Sequence, residues 1–185
     1  MLEFDKMVGG MLYDAGNSEL VALRRRARLL TAALNRSGVD DYVERVQLLK
    51  DLFGSTGDKV YVEPSFRCDY GSNIHVGENF FANFDCVILD VAEVRIGRDC
   101  LMGPQVGIYT ATHPLDLQER QSGLELGRPV RIGDYCWIGG RAVINPGVTL
   151  GNNVVVASGA VVTKSFADNV VIAGNPARVI RELLV

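Results

Sequence analysis

The sequence has few of the residues that build metal centres. It contains two histidines, His75 and His113, and four cysteines without a CxxC pair. A catalytic zinc takes about three protein ligands, commonly imidazoles, and the two histidines stand 38 positions apart. No metal requirement is therefore predicted. The cysteines are expected to be buried free thiols in a reducing cytosol. They are Cys68, Cys86, Cys100 and Cys136.

Long apolar runs, a secretory leader and an excess of positive charge are also missing. No apolar run approaches the ~18 residues of a membrane helix. The N-terminus carries acidic residues early and has no basic region followed by an apolar core, so a cytoplasmic protein is expected. Acidic residues outnumber basic ones by 22 to 19, for a net charge of −3. Nucleic-acid binding is not expected, and the basic run 24–28 is interpreted as a solvated helix face.

What the sequence does contain is a period of six residues across positions 132–166. An aliphatic residue opens every block, and the position after it is mostly small or turn-forming. A helix repeats near 3.6 residues and a strand alternates by two, so neither gives this period. The period is typical of a parallel β-helix with three sides per coil, in which each coil needs its neighbours to bury its interior. The opening residues are Ile132, Ile138, Ile144, Leu150, Val156 and Val162.

The same period begins near Val60, but with two shifts of phase. It shifts by two positions between Ile74 and Val76, and again between Val94 and Ile96. We interpret these shifts as bulged corners of the coil. The predicted inward positions of this half are Val62, Cys68, Ile74, Val76, Ala82, Ile88, Val94, Ile96, Met102 and Ile108.

The segment 1–58 has helical spacing instead. One helix can be capped by Asn17 or Ser18 and ended by Gly38. A second helix can be capped by Asp40 or Asp41 and ended by Gly54. The predicted organisation is this helical segment followed by a β-helix over residues 59–185.

Two features interrupt or end the predicted β-helix. The pattern stops over residues 113–131, a polar loop, and a loop longer than ~12 residues in a compact domain is commonly functional. After Phe166, the pair Asn175-Pro176 suits the start of a helix. This terminal helix is expected to cover the open edge of the last coil, which would otherwise invite pairing with other chains.

His113 is the leading catalytic candidate. It is the last residue before the loop, and Pro114 biases its backbone to an extended conformation. An imidazole suits proton abstraction near neutral pH because its ordinary pKa is ~6.5. No serine has a GxSxG context, so direct attack by an activated hydroxyl is favoured over a covalent enzyme intermediate. His75 lies inside a predicted coil, and a structural role is expected for it.

Five segments resemble one family over nearly the whole chain. They are LYDAGNSELVALRRRA, NIHVGENFFANFDCVILD, YTATHPLD, WIGGRAVINPGVTLG and VVTKSFADNVVIAGNPARVIREL. The chain resembles the hexapeptide-repeat acetyltransferases, most closely the maltose O-acetyltransferase branch, with galactoside and nodulation-sugar acetyltransferases as near relatives. The resemblance implies a left-handed coil, a homotrimer with active sites between subunits, and acetyl-CoA as co-substrate.

The resemblance also implies roles for individual residues. His113 corresponds to the general base and Asn83 to a catalytic neighbour of the acceptor and acetyl group. Aspartate at position 69 favours a maltose or glucose type of acceptor, because the galactoside enzymes have serine there. The galactoside relatives carry an acid one place after Asp90, where this chain has Val91. The implied acceptor contacts are Asp14, Asp69, Asp90 and Glu125. The implied cofactor contacts are Trp137, Gly140, Ser158, Thr163, Lys164, Arg178 and Arg181.

Alternative functions stay open at this point. The acceptor can be a galactoside, an antibiotic or an amino acid instead of a glucosyl sugar. A zinc lyase on the same solenoid is disfavoured by the shortage of histidine. A non-catalytic solenoid scaffold is the remaining alternative, and regular outward ladders of one residue type, its expected sign, are not found in the sequence.

Overall fold

A computed structural model describes residues 1–184. Its N-terminal part is helical and the remainder is mainly β. The helices are α1 (Glu3–Val8), α2 (Ser18–Arg36), α3 (Tyr42–Leu52) and α4 (Leu117–Gln121). The strands are β1 (Val60–Val62), β2 (Arg67–Cys68), β3 (Ile74–Val76), β4 (Phe80–Ala82), β5 (Val87–Leu89), β6 (Val94–Ile96), β7 (Leu101–Met102), β8 (Gly107–Tyr109), β9 (Ala111–Thr112), β10 (Leu126–Gly127), β11 (Val130–Ile132), β12 (Trp137–Ile138), β13 (Val143–Ile144), β14 (Thr149–Leu150), β15 (Val155–Val156), β16 (Val161–Val162), β17 (Val170–Gly174) and β18 (Ala177–Glu182).

The strands form a parallel β-solenoid of about six turns, which confirms the prediction from the period of six. Face 1 contains β1, β4, β7, β12, β15 and β17, with β18 at its end. Face 2 contains β2, β5, β8, β13 and β16, and face 3 contains β3, β6, β11 and β14. The chain visits faces 1, 2 and 3 in turn, and the three faces form a triangular prism. Residues that follow the strands of one face therefore stack along one edge of this prism. We call these edges 1–2, 2–3 and 3–1.

The predicted inward positions form the core. All of them are buried, except that Cys68 is half-buried. The two phase shifts have a different cause from the bulged corners that we expected. Ile74 and Val76 lie on one continuous strand and both point inward, with the half-buried His75 between them. Face 3 therefore has two inward residues per strand in the early coils.

Coil length changes accordingly along the solenoid. In the first coils the register pairs Val60 with Phe80, twenty positions later. Beyond the loop it pairs Trp137 with Val155, eighteen positions later. The second half therefore keeps the strict period, whereas the first half inserts two residues per coil on face 3.

Side chains at edge 3–1 tie each turn to the next. The Asp134 carboxylate accepts the backbone N–H of Arg98 at 3.0 Å, and the side-chain amide oxygen of Asn152 accepts the backbone N–H of Asp134 at 2.8 Å. Gly97 lies on the same edge, and a Cβ there would stand 2.7 Å from the carbonyl carbon of Gly133. Glycine is needed because consecutive coils approach so closely.

The N-terminal helices begin close to where the caps predicted. Asn17 accepts the Glu19 N–H at 3.0 Å and caps α2. Asp41 precedes α3, but its carboxylate accepts the N–H of Gly38 at 2.8 Å and does not cap its own helix. Both helices end just before the predicted glycines. Within residues 1–184, no helix has the length and apolar character needed to cross a membrane.

The predicted C-terminal helix is wrong. Residues Val170–Gly174 pair in parallel with β15, and Ala177–Glu182 fold back on them as an antiparallel hairpin. A cis peptide bond joins Asn175 and Pro176 in the turn. Pro176 suits a first helical position, but the β-branched residues on both sides of it favour strands, and β17 pairs with the open edge of β15.

Three cysteines stack inside the solenoid as free thiols. Their sulfurs donate to carbonyl groups at 3.1–3.3 Å: Cys86 to Gly103, Cys100 to Gly133 and Cys136 to Gly151. Cys68 is half-buried at the start of face 2. In the described part of the chain, no group of three His, Cys, Asp or Glu side chains is arranged to hold a metal ion.

Candidate functional site

His113 lies at edge 2–3, where the chain leaves the solenoid. The short strand β9 carries it outward, and Thr112 pairs with Leu126 of β10. The returning chain is fastened by the Arg128 N–H, which donates to the Thr110 carbonyl at 2.9 Å. Pro114 is buried while His113 is exposed. A buried proline and a paired strand thus hold the backbone on both sides of an accessible imidazole.

The imidazole opens onto a cleft of about 440 Å³. Residues from the N-terminal segment, the loop and two later coils line this cleft. They are Leu12, Thr112, His113, Pro114, Leu115, Glu119, Leu126, Arg128, Asn145, Pro146 and Thr163. Of the predicted cofactor contacts, Thr163 therefore lies in the same cleft as His113.

A group of polar side chains surrounds Asp69 at the same edge. The hydroxyl of the buried Tyr13 donates to Glu125 Oε2 at 3.0 Å, and the two residues also exchange backbone hydrogen bonds. Burial raises the pKa of the Asp69 carboxyl, and the nearby charge of Arg24 opposes that rise. Asp69 of the first coil and Glu125 of the loop are close enough that the charge of Glu125 also raises the pKa of Asp69.

Asp14 belongs to the turn that leads into α2. It is exposed, and its carboxylate accepts the Gly16 N–H at 2.8 Å. It follows Tyr13 directly, so it lies at the margin of the Asp69 group. Much of its carboxylate stays accessible to a ligand.

The predicted acceptor contact at Asp90 needs correction, because this side chain cannot reach an acceptor in this structure. It is fully buried. One carboxylate oxygen accepts the N–H groups of Asp69 and Tyr70 at 3.0 and 2.9 Å, and the other accepts the Asn73 N–H at 3.3 Å. Asp90 therefore holds the turn that carries Asp69. From the sequence alone, this structural role cannot be distinguished from direct contact with an acceptor.

Arg24 is a member of this group that the sequence did not reveal. Its guanidinium donates to the Tyr70 hydroxyl at 2.7 Å and to the Ala15 carbonyl at 2.6 Å. The interpretation of residues 24–28 as a solvated face fits the exposed Arg25, Arg26 and Arg28, but not the half-buried Arg24. Helical periodicity could have found it, because Arg24 lies one turn before the buried Ala27.

Trp137, Asn83, Gly140 and Ser158 lie on the other side of face 2. Trp137 is 56% exposed on the outer surface of face 1. Asn83 follows β4 at edge 1–2 and accepts the Phe84 N–H at 2.8 Å. Gly140 and Ser158 follow β12 and β15 at the same edge.

The cationic residues are divided between the two sides. Arg178 and Arg181 are exposed on β18, where Arg181 pairs with Val171 next to the row that holds Trp137. Lys164 follows β16 at edge 2–3, with its ammonium 5.4 Å from the centre of the Phe166 ring. One chain thus presents His113, Thr163 and Lys164 at edge 2–3. It presents Asn83 and Trp137 on the other side of face 2, at edge 1–2 and on face 1.

Comparison with known proteins agrees with this architecture. Residues 6–57 match the model of the maltose acetyltransferase hexapeptide capping motif, and residues 129–164 match the bacterial transferase hexapeptide model with its six repeats. The structure of a maltose O-acetyltransferase from Clostridium difficile 630 is 50% identical, with a TM-score of 0.99 over 100% of this chain and 99% of that one.

Two further relatives cover nearly the same length. A hexapeptide-repeat acetyltransferase from Vibrio cholerae, solved with acetyl coenzyme A, is 40% identical over the whole of both chains, with a TM-score of 0.93. The galactoside O-acetyltransferase of Escherichia coli is 40% identical over 97% of this chain and 88% of its own length. On these similarities and on its solenoid, the chain belongs to the hexapeptide-repeat acetyltransferases.

Proposed function

We propose that this protein transfers the acetyl group of acetyl-CoA to a hydroxyl of a sugar of the maltose or glucose type, with His113 as general base. The observation that carries the proposal is the exposed imidazole of His113 on a cleft, at the same edge of the solenoid as the Asp69 and Glu125 group. Carboxylates and the Arg24 guanidinium supply the acceptors and donors that sugar hydroxyls bond to.

The reaction follows from the position of the imidazole. A ring nitrogen of His113 takes the proton of the sugar hydroxyl, and the oxygen attacks the thioester carbonyl carbon. A donor stabilises the resulting oxyanion, a contribution of about 3 kcal/mol per donor in enzymes studied by mutation, and we assign this role to Asn83. The carbon–sulfur bond then breaks, and His113 returns its proton to the CoA thiolate.

Acetyl-CoA is the substrate that fits the second group of residues. Its phosphates need cations, and Arg178, Arg181 and Lys164 are all exposed. The exposed face of Trp137 offers a surface on which its adenine ring can stack. No covalent enzyme intermediate is required, because the sugar oxygen attacks the thioester directly.

A homotrimer explains why one chain divides these residues between two sides of face 2. We propose that edge 2–3 of one subunit lies against face 1 of the next, so that His113 meets Asn83 and Trp137 of its neighbour. A closed ring of three repeats this contact three times. Each active site is then incomplete without a second copy.

The base is tested by replacing each of the two histidines. In His113→Ala, thiol release from acetyl-CoA with maltose should fall by about 10²–10⁴-fold, while acetyl-CoA binding measured by calorimetry stays within about twofold. His75→Ala is the matched control and should retain turnover. Turnover that survives the loss of His113 would overturn the assignment.

The shared site is tested by subunit mixing. His113→Ala and Asn83→Ala are each expected to be inactive as homotrimers. If each site takes one residue from each of two neighbours, random reassembly of equal amounts leaves about one quarter of the sites intact. No recovery of activity, with mixed trimers demonstrated by native mass spectrometry, would mean that both residues act within one chain.

A further inference from the structure

A second cleft lies next to the Asp69 group, between helix α2 and the start of face 2. Its volume is about 440 Å³. It is lined by Arg28, Thr31, Ala32, Asn35, Arg67 and Cys68. None of these residues belongs to the predicted acceptor or cofactor contacts, although Cys68 immediately precedes Asp69.

The polar groups of the floor of this cleft are already satisfied. The Asn35 amide donates to the Phe66 carbonyl and its oxygen accepts the Phe66 N–H, both at 2.9 Å. The Thr31 hydroxyl donates to the Ala27 carbonyl at 3.0 Å. The floor is therefore fixed, and the hydrogen-bond donors left for a ligand are the two guanidinium groups on the walls.

Among the residues that the structure describes, those two arginines have no carboxylate partner of their own, in contrast to four other arginines packed on the solenoid. Arg45, Arg95, Arg98 and Arg131 each have a carboxylate within 4 Å. Within residues 1–184, neither wall arginine of the second cleft forms such an ion pair. Both are exposed, and two guanidinium forks facing one cleft match the geometry of a phosphate or carboxylate group.

We infer that Arg28 and Arg67 bind an anionic group, a phosphate or a carboxylate, on the acceptor sugar. The inference rests on the proposed sugar acceptor and names its class: a saccharide with a negative charge remote from the acetylated hydroxyl. Asp69 and the point where His113 leaves the solenoid are two coils apart, roughly 10 Å at about 4.8 Å per strand. A disaccharide spans that distance, so its far end reaches the second cleft.

Local charge supports an anion there in spite of the acidic neighbours. Burial raises the pKa of the Asp69 carboxyl most; Arg24 opposes this rise, Glu125 adds to it, and Arg28 is close enough that its charge also lowers the pKa. The carboxylates of Asp69 and Glu125 would repel an anion that enters from the His113 side. The guanidinium groups therefore select one orientation of the acceptor, with its charged end away from the transfer cleft.

The test compares maltose, maltose 6′-phosphate and maltobionate as acceptors, with thiol release as the assay. At low ionic strength the wild type should prefer the charged acceptors by about tenfold in kcat/KM, which is the effect of two exposed ion pairs. The double variant Arg28→Gln/Arg67→Gln should use all three within about twofold. Arg25→Gln, an exposed arginine on the same helix, is the matched control and should keep the preference.

A wild type without preference for charge, or a double variant that keeps it, would overturn the inference. If wild type acetylates none of the three sugars, the proposed function fails, and binding separates the two questions. Calorimetry with maltose 6′-phosphate in the absence of acetyl-CoA must then show binding to wild type and to Arg25→Gln. Equal binding by the double variant, or none by wild type, would refute the anion site.

Discussion

Replacement of Asp90 by alanine tests whether a buried carboxylate organises the acceptor side of the site. The change removes the acceptor of two short hydrogen bonds, from the N–H groups of Asp69 and Tyr70, and of a longer one from Asn73. A buried N–H left without a partner costs about 1–3 kcal/mol. We therefore expect Asp90→Ala to lose about 3–5 kcal/mol of unfolding free energy, counting the longer bond least.

The expected loss is large enough to measure directly. For a chain of this size, each kcal/mol lowers the melting temperature by about 2–4 °C, so a fall of roughly 10 °C is expected at fixed protein concentration and pH. Asp90→Asn keeps one carbonyl oxygen for the Asp69 and Tyr70 N–H groups, and should lose only about 1 kcal/mol. Asp40→Ala, an exposed aspartate, is the control.

The same variants separate the effect of Asp90 on the position of Asp69 from its effect on the free energy of unfolding. Because Asp90 acts through the turn that carries Asp69, Asp90→Asn should raise the KM for the sugar several-fold while the KM for acetyl-CoA is unchanged. Calorimetric unfolding of Asp90→Ala within about 1 kcal/mol of wild type would refute the reasoning, since orphaned N–H groups carry the whole cost. An equal rise in both KM values would show a general loosening instead.

Three further predictions follow from single contacts. Burial raises the pKa of the Asp90 carboxyl to about 7. The folded state therefore holds this proton more tightly than the unfolded state, which adds stability that is complete below about pH 4 and is lost as the pH rises through 7. Between pH 5 and 8, the melting temperature should therefore decline less in Asp90→Asn than in wild type. Gly97→Ala should cost more than 2 kcal/mol in urea unfolding, because its Cβ would meet the next coil, whereas Gly123→Ala, with open space and a φ of +77°, should cost about 1 kcal/mol; equal costs would contradict the close approach of coils. Tyr13→Phe removes the bond to Glu125 and should lower stability by about 1 kcal/mol and raise the sugar KM, an effect absent from Tyr135→Phe, whose ring is half exposed.

The solenoid could be predicted from the sequence because its cause is local. Each coil repeats the same inward aliphatic residue and small neighbour, so the run from Ile132 to Val162 specifies burial without any knowledge of distant contacts. The two-residue shift at Ile74 and Val76 was visible, but its cause was not. Whether two nearby apolar residues bracket a corner or share one inward-facing strand depends on the width of the face, which neighbouring coils set.

The parts that failed depend on partners far away in sequence. Pro176 is compatible with a helix start or with a turn, and only the edge of β15 that β12 leaves open favours the hairpin. Asp90 looks like any acid near a sugar site, and its burial follows from the turn at residues 69–73. Arg24 is set apart from Arg25 and Arg26 by its place one turn before Ala27, but its hydrogen bonds to Tyr70 and Ala15 could not be read from the sequence.

The excursion that bears His113 begins and finishes at Thr110 and Arg128, two residues clasped by one backbone bond. The neighbouring coils do not depend on how many residues the loop between Thr110 and Arg128 contains. Because closure entropy grows by only about 0.6 kcal/mol for each doubling of length, the segment can be exchanged or extended at little thermodynamic cost. The residues between Thr110 and Arg128 can therefore vary in number and kind while the coils on either side keep their register.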